Sequence, residues 1–134
     1  MKLIVMIDND NGMLFNRRRL SHDLVLTEHL SQMIGDTPVW MNSYTALYYQ
    51  IHFKNAVVSN HFMTEASHDE YCICETESVA QYEGLIDVIY LYKWNRDYPS
   101  TLKFDLDLSG WILKESTDFA GSSHEKITEE IYVK

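Results

Sequence analysis

The sequence predicts an α/β protein: a mostly parallel central sheet with flanking helices, closed by a C-terminal antiparallel hairpin. Short strand-like runs alternate with segments of helical periodicity along most of the chain, which favours parallel strands covered by helices. The opening run, Lys2 to Ile7, is almost continuously apolar, as expected of a central strand buried on both faces. The last β-rich arms flank a polar turn, which predicts the hairpin.

The first helix and the strand after it follow from spacing and turn chemistry. Asp8 to Gly12 ends the opening strand, because Asn, Asp and Gly tolerate turn conformations. Apolar residues then recur at helical spacing over Asp23 to Ile34, and Gly35 is a natural stop for that helix. A short strand, Val39 to Met41, runs directly into a second amphipathic helix with Ser43 as its predicted N-cap.

The remaining elements complete the order β, α, β, α, β, β, α, β before the hairpin. Composition predicts strands at Asn55 to Ser59, Tyr71 to Cys74 and Ile86 to Tyr92, with a short helix at Glu75 to Tyr82. The hairpin arms are Trp111 to Phe119 and Lys126 to Val133.

Length and charge limit the classes of function. A chain of 134 residues fits a single domain spanning residues 1–134. The formal charge of −9 disfavours nucleic acid as a ligand, since phosphate backbones are repelled. No apolar run is long enough to span a membrane, so we expect a soluble, cytoplasmic protein with no membrane partner. The one basic cluster, Arg17 to Arg19, is interpreted as a solvated loop or, less often, a contact for an anion.

Two groups of residues leave alternatives open. Cys72 and Cys74, with His68 nearby, could ligate zinc, but no further pair completes four ligands, so we predict core cysteines and no metal. Tyr90, Tyr92 and Trp94 alternate along one face of a strand. They form either the edge of the core or an exposed aromatic surface that grips a protein partner.

Several segments, in order and spacing, resemble the dihydrofolate reductase family over most of the chain. The opening "LIVMIDNDNG" is similar to the family's first strand and active-site loop, and "LSHDL" to its L-P-x-D-L segment. The stretch "GDTPVWMNSYTAL" resembles G-x-P-x-x-M-G-R-x-T, "KNAVVSN" the next strand, and "FDLDLSGW" the approach to the hairpin. The resemblance implies a dihydrofolate-reductase-like fold for a short, highly divergent member.

The resemblance also implies where a cofactor would bind. The family's turn offers a glycine, an arginine and a threonine to the NADPH phosphates, and the matching positions here are Asn42, Ser43 and Thr45. Only the threonine is kept, although a helix N-terminus still favours anions. The family's Gly-Gly turn has no counterpart among the five glycines, so we expect NADPH binding to be weakened or lost.

On the substrate side, the match to L-P-x-D-L makes Asp23 the catalytic carboxylate that would assist protonation. Asp23 also suits helix capping, and the alternative carboxylate, Glu28, should face water. Phe53 stands near the place of the family's arginine for the folate tail.

Two functions follow from this resemblance. One is an NADPH-dependent oxidoreductase acting on dihydrofolate or a related small substrate. The other is a catalytically inactive scaffold of the same fold that binds a protein as a regulatory or inhibitory module.

Overall fold

The structure is a computed structural model that describes residues 1–134. Its strands and helices are, in chain order, β1 (Lys2–Ile7), β2 (Gly12–Phe15), β3 (Arg18–Arg19), α1 (Leu24–Ile34), β4 (Val39–Met41), α2 (Ser43–Tyr49), β5 (Ala56–Val58), α3 (Phe62–Glu65), β6 (Tyr71–Ile73), β7 (Val88–Lys93), β8 (Leu102–Lys103), β9 (Ile112–Phe119) and β10 (Ile127–Val133). Three short 3-10 turns lie at Gln50–His52, Ala80–Leu85 and Leu108–Gly110. None of the helices combines the length and the apolar character that crossing a bilayer requires.

The main sheet has seven strands in the order β5-β4-β6-β1-β7-β10-β9. The five strands from β5 to β7 run parallel to one another, and β10 pairs antiparallel with both β7 and β9. The predicted mostly parallel sheet with a closing hairpin is therefore confirmed. A second, small antiparallel sheet in the order β3-β2-β8 was not predicted.

Strand β1 lies at the centre of the sheet and is covered on both faces. Leu3, Val5 and Ile7 join one apolar cluster, while Ile4 and Met6 join the other. This explains why the opening run is apolar at almost every position and not only at alternate ones. The expectation of a doubly covered central strand is confirmed.

The structure shows which residues cap the two main helices, α1 and α2. Helix α1 begins at Leu24 with Asp23 as its N-cap, and ends at Gly35, whose φ of 58° favours glycine. The prediction that Ser43 caps α2 is wrong, because the Asn42 side chain accepts the hydrogen bond from the Thr45 N–H at 2.9 Å. Strand β4 ends at Met41 as predicted, but the helix begins one residue earlier than the capping prediction requires, so that Ser43 is its first residue.

The helix predicted at Glu75 to Tyr82 is also wrong. The chain leaves β6 as a loop that bends at residues 75–77, and a 3-10 turn begins only at Ala80. The Asp105 carboxylate accepts hydrogen bonds at 2.9 Å from the N–H groups of Val79 and Ala80, which fixes the start of that turn. The Glu75 side chain, at the start of the predicted helix, is buried instead.

The aromatic and cysteine side chains belong to the core. Tyr92 and Trp94 are almost fully buried and Tyr90 is half-buried, so the core-edge interpretation is confirmed and the exposed aromatic surface is wrong. Cys72 and Cys74 are free and completely buried, as expected of core cysteines, and burial raises the pKa of the Cys72 thiol to about 12. No cluster of three or more potential metal-ligating side chains occurs.

Candidate functional site

The turn between β4 and α2 is held closed by its own side chains. The Asn42 carboxamide accepts from the Thr45 N–H and donates to the Thr76 hydroxyl at 2.6 Å. Thr45 is buried, and its hydroxyl donates to the Glu75 carboxylate at 2.9 Å. Ser43, in contrast, is exposed. Of the three predicted cofactor-binding residues, Asn42 and Thr45 are thus engaged inside the chain and Ser43 alone faces solvent.

Glu75 forms a bidentate ion pair with Arg19 beside this turn. The Arg19 Nε and Nη2 atoms donate to the two carboxylate oxygens, each at 2.7 Å. The Glu75 side chain is 5% exposed and that of Arg19 is 14% exposed. Burial lowers the pKa of Arg19, but the hydrogen bonds and charge of Glu75 outweigh it, and the net pKa is raised. The Arg19 guanidinium is therefore held in its charged form.

Three tyrosine rings enclose the Arg19 guanidinium. Its central carbon lies 5.1 Å from the ring centroid of Tyr44, 5.2 Å from that of Tyr48 and 5.5 Å from that of Tyr49. These distances are within the range of cation–π attraction. The interpretation of Arg17 to Arg19 as a solvated loop is therefore wrong for Arg19. This residue lies in β3 and binds Glu75 of the same chain.

This arrangement does not fit a cofactor phosphate at the N-terminus of α2. A phosphate would need the Thr45 hydroxyl, the N–H groups of the turn and a nearby cation. Here the hydroxyl, one N–H and the guanidinium are taken by Asn42 and Glu75. The loop that follows β6 carries Glu75 and contains no glycine.

The space between α1 and α2 is bridged by Tyr48. Its hydroxyl lies 3.2 Å from that of Thr27, and its ring lies 4.8 Å from that of His22. Phe53, near the expected arginine for a folate tail, is buried and stacks with Tyr49 at 6.0 Å between centroids. The side chains between these two helices therefore contact one another.

Asp23 is the N-cap of α1, which confirms the capping interpretation. One carboxylate oxygen accepts from the N–H groups of Val25 at 2.9 Å and Leu26 at 3.2 Å. The side chain is completely buried. Glu28, the other candidate carboxylate, is exposed as predicted.

The loop of the closing hairpin folds over Asp23. The N–H of Ser122 donates to one carboxylate oxygen at 3.0 Å, while the N–H of Ser123 and Nδ1 of His124 approach the other at 2.8 Å and 3.0 Å. Burial raises the pKa of Asp23, but these hydrogen bonds outweigh it and hold that pKa well below its usual range. Asp23 therefore remains ionised although no water reaches it.

His124 extends this network toward the surface. Its Nε2 atom lies 3.1 Å from the Ser21 hydroxyl and 3.1 Å from the Tyr98 hydroxyl, and its ring stacks on Trp94 with centroids 4.4 Å apart. Sequence reasoning missed His124 because 101 residues separate it from Asp23 and no local spacing links them.

Ser21 opens onto a cleft of about 620 Å³, which we call the Ser21 cleft. It is lined by Arg18, Arg19, Leu20, Ser21, His22, Tyr44 and Ser123. Ser21 is half-buried, whereas Arg18 is exposed. The cleft thus connects the Arg19–Glu75 pair with the His124 network.

The strand order, the two helices beside β4 and the closing hairpin define the fold of dihydrofolate reductases. Among solved structures, the chain is similar to dihydrofolate reductase from Enterococcus faecalis in complex with NADP(H) and RAB-propyl, with a TM-score of 0.70. The match covers 98% of this chain and 94% of that one, at 11% sequence identity. No protein-family model and no curated protein matches the sequence. The predicted dihydrofolate-reductase-like fold is therefore confirmed.

Proposed function

We propose that this chain is a dihydrofolate-reductase-like binding protein that does not use NADPH and acts through contact with a protein partner. One observation carries the proposal: the Glu75 carboxylate lies against Thr45 and Arg19, the groups that would otherwise receive a phosphate. A phosphate at this turn would meet a like charge and would have to take the Thr45 hydroxyl and the Arg19 guanidinium away from that carboxylate.

The surroundings of Asp23 also argue against reduction of a pterin. A substrate that binds this carboxylate must displace the N–H groups of Ser122 and Ser123 or the imidazole of His124. Each displaced group must find another partner or remain buried and unsatisfied, at about 1–3 kcal/mol apiece. A catalytic role for Asp23 in a reductase remains the competing hypothesis.

The partner surface we propose lies on and just after α2. Leu47 in α2 is 85% exposed, and Ile51, four residues later in the 3-10 turn that continues α2, is 87% exposed. We propose that these two side chains form one apolar patch, the kind of surface that contacts a protein partner. The acidic charge of the chain favours a partner with an apolar groove and a basic rim.

The first experiment titrates the purified protein with NADPH, followed by cofactor fluorescence and by the shift in melting temperature. We expect no binding at millimolar cofactor. Binding in the micromolar range, about −8 kcal/mol, would overturn the proposal and favour the reductase, with Asp23 and Thr45 in the roles that the resemblance implies.

The second experiment compares proteins captured from the native host by the wild type and by a Leu47→Ser/Ile51→Ser variant. The matched control is Ile112→Ser/Leu113→Ser, which removes two exposed apolar side chains from β9 instead. We expect a captured protein that the first variant loses and the control retains. Identical capture by all three proteins would contradict the proposed surface.

A further inference from the structure

Ser21 lines the Ser21 cleft, and hydrogen-bond distances link it to the buried His124 and, through that ring, to the buried Asp23. The Ser21 hydroxyl is 3.1 Å from Nε2 of His124, and Nδ1 of the same ring is 3.0 Å from the Asp23 carboxylate. Both distances are within the range of a nucleophile, its base and the group that orients the base. We propose that these three residues form a hydrolytic site for acyl esters.

The surroundings of His124 fix its ring in the orientation that this chemistry needs. The ionised Asp23 carboxylate accepts the hydrogen on Nδ1, which leaves the lone pair of Nε2 directed toward the hydroxyls. Stacking on Trp94 holds the ring plane, and the histidine side chain is only 1% exposed. The base is therefore positioned before any substrate binds.

Tyr98 shares Nε2 with Ser21. Its hydroxyl is also 3.1 Å from that nitrogen, so either hydroxyl can donate to the neutral ring. Once the ring holds a second proton, the Tyr98 oxygen can accept from Nε2.

The reaction balances without a cofactor. The Ser21 oxygen attacks the ester carbonyl carbon while Nε2 of His124 takes the hydroxyl proton. The ester C–O bond then breaks, the alcohol leaves with that proton, and the acyl group stays on Ser21. Water attacks the acyl group, His124 takes the proton from that water and returns it to the Ser21 oxygen, and the carboxylic acid leaves.

The cleft lining indicates an ester that carries an anionic group. Arg18 is exposed at the cleft and forms no ion pair, in contrast to Arg19, which binds Glu75. A carboxylate on the acyl part would pair with the Arg18 guanidinium while the carbonyl lies at Ser21. This site does not depend on the proposed partner surface, since Leu47 and Ile51 do not line the cleft.

The test treats the intact protein with a fluorophosphonate probe, maps the adduct by peptide mass spectrometry, and measures hydrolysis of 4-nitrophenyl hemisuccinate. We expect an adduct on Ser21 and a loss of hydrolysis of at least about 100-fold in Ser21→Ala. The control, Ser109→Ala, removes an exposed hydroxyl outside the cleft and should leave both readouts unchanged. Melting temperatures establish that both variants fold.

A second variant tests whether His124 acts as a base toward residue 21. Ser21→Cys should react with iodoacetamide at neutral pH at least about tenfold faster than the same variant carrying His124→Gln, because the imidazole withdraws the thiol proton. The native Cys72 and Cys74 are buried and should stay unlabelled. Absence of a Ser21 adduct, equal hydrolysis by wild type and Ser21→Ala, or equal alkylation rates would each overturn the proposal.

Discussion

Replacing Glu75 by alanine should lower the free energy of unfolding by about 3 kcal/mol at low salt. The carboxylate accepts two hydrogen bonds from Arg19 and one from Thr45, and all three are lost together. Removing one partner of a fully buried ion pair costs about 3–5 kcal/mol. We take the lower end because Arg19 remains 14% exposed and keeps the tyrosine faces around it.

Inorganic phosphate should restore most of this loss. In the Glu75→Ala protein, the Arg19 guanidinium and the Thr45 hydroxyl both face the vacated space, as a small anion requires. For a dissociation constant of about 1 mM, 50 mM phosphate stabilises the folded state by about 2 kcal/mol. Phosphate should not stabilise the wild type, because the Glu75 carboxylate already occupies the site between Arg19 and Thr45.

The assay is thermal and urea unfolding in phosphate and in chloride at matched ionic strength. A loss of 3 kcal/mol corresponds to a fall in melting temperature of about 10 °C for a domain of this size. The Arg19→Ala/Glu75→Ala variant serves as the control and should gain nothing from phosphate. A destabilisation below about 1 kcal/mol, or a phosphate response no larger than that of the wild type, would refute the reasoning.

Three further predictions concern the same two sites. Gly121→Ala should destabilise by about 1–3 kcal/mol in urea unfolding, because the added Cβ would clash with the Asp23 carboxylate, whereas Gly84→Ala meets nothing within 4 Å and should be near neutral. The depressed pKa of Asp23 stabilises the folded state above about pH 4, and this stability should decline by up to about 1.4 kcal/mol per pH unit as pH falls toward the folded-state pKa. Urea unfolding of Asp23→Asn between pH 2 and 7 should lack that slope. Ser43→Arg alone should not create NADPH binding in a fluorescence titration, whereas Ser43→Arg combined with Glu75→Gly should.

Each of these has an outcome that contradicts it. Equal stability of the two glycine variants would mean that the hairpin loop does not press on the carboxylate. An unchanged acid slope in Asp23→Asn would assign the acid sensitivity to other groups. Micromolar NADPH binding by Ser43→Arg alone would show that Glu75 does not exclude the phosphate.

The parts of the fold that sequence predicts are those with local periodicity or long apolar runs. Strand β1, helix α1, the β4–α2 turn and the hairpin arms all have such patterns, and all are present within a few residues of the expected bounds. Strands β3 and β8 have two residues each, too few to produce any periodicity. The wrong cap of α2 reflects two adjacent residues, Asn42 and Ser43, that are both good caps.

The site could be predicted only where one motif contains it. The turn residues Asn42, Ser43 and Thr45 were predicted from one stretch of sequence, GDTPVWMNSYTAL. Asp23 was predicted from another, LSHDL. The groups that bind them were not predicted, because 56 residues separate Arg19 from Glu75 and 101 separate Asp23 from His124. Pairings of this separation leave no trace in local spacing, and they became visible only when the sheet brought the loops together.

The central position of β1 has a consequence for how the protein reaches its folded state. Residue Lys2 pairs with Tyr71 on one side and with Val88 on the other, so neither neighbour exists until much of the chain has been synthesised. Closing such long loops must precede the gain from strand pairing, which makes folding slow. The apolar first strand therefore has no strand partner on a nascent chain until β6 has been synthesised, and during that time it is a segment prone to aggregation.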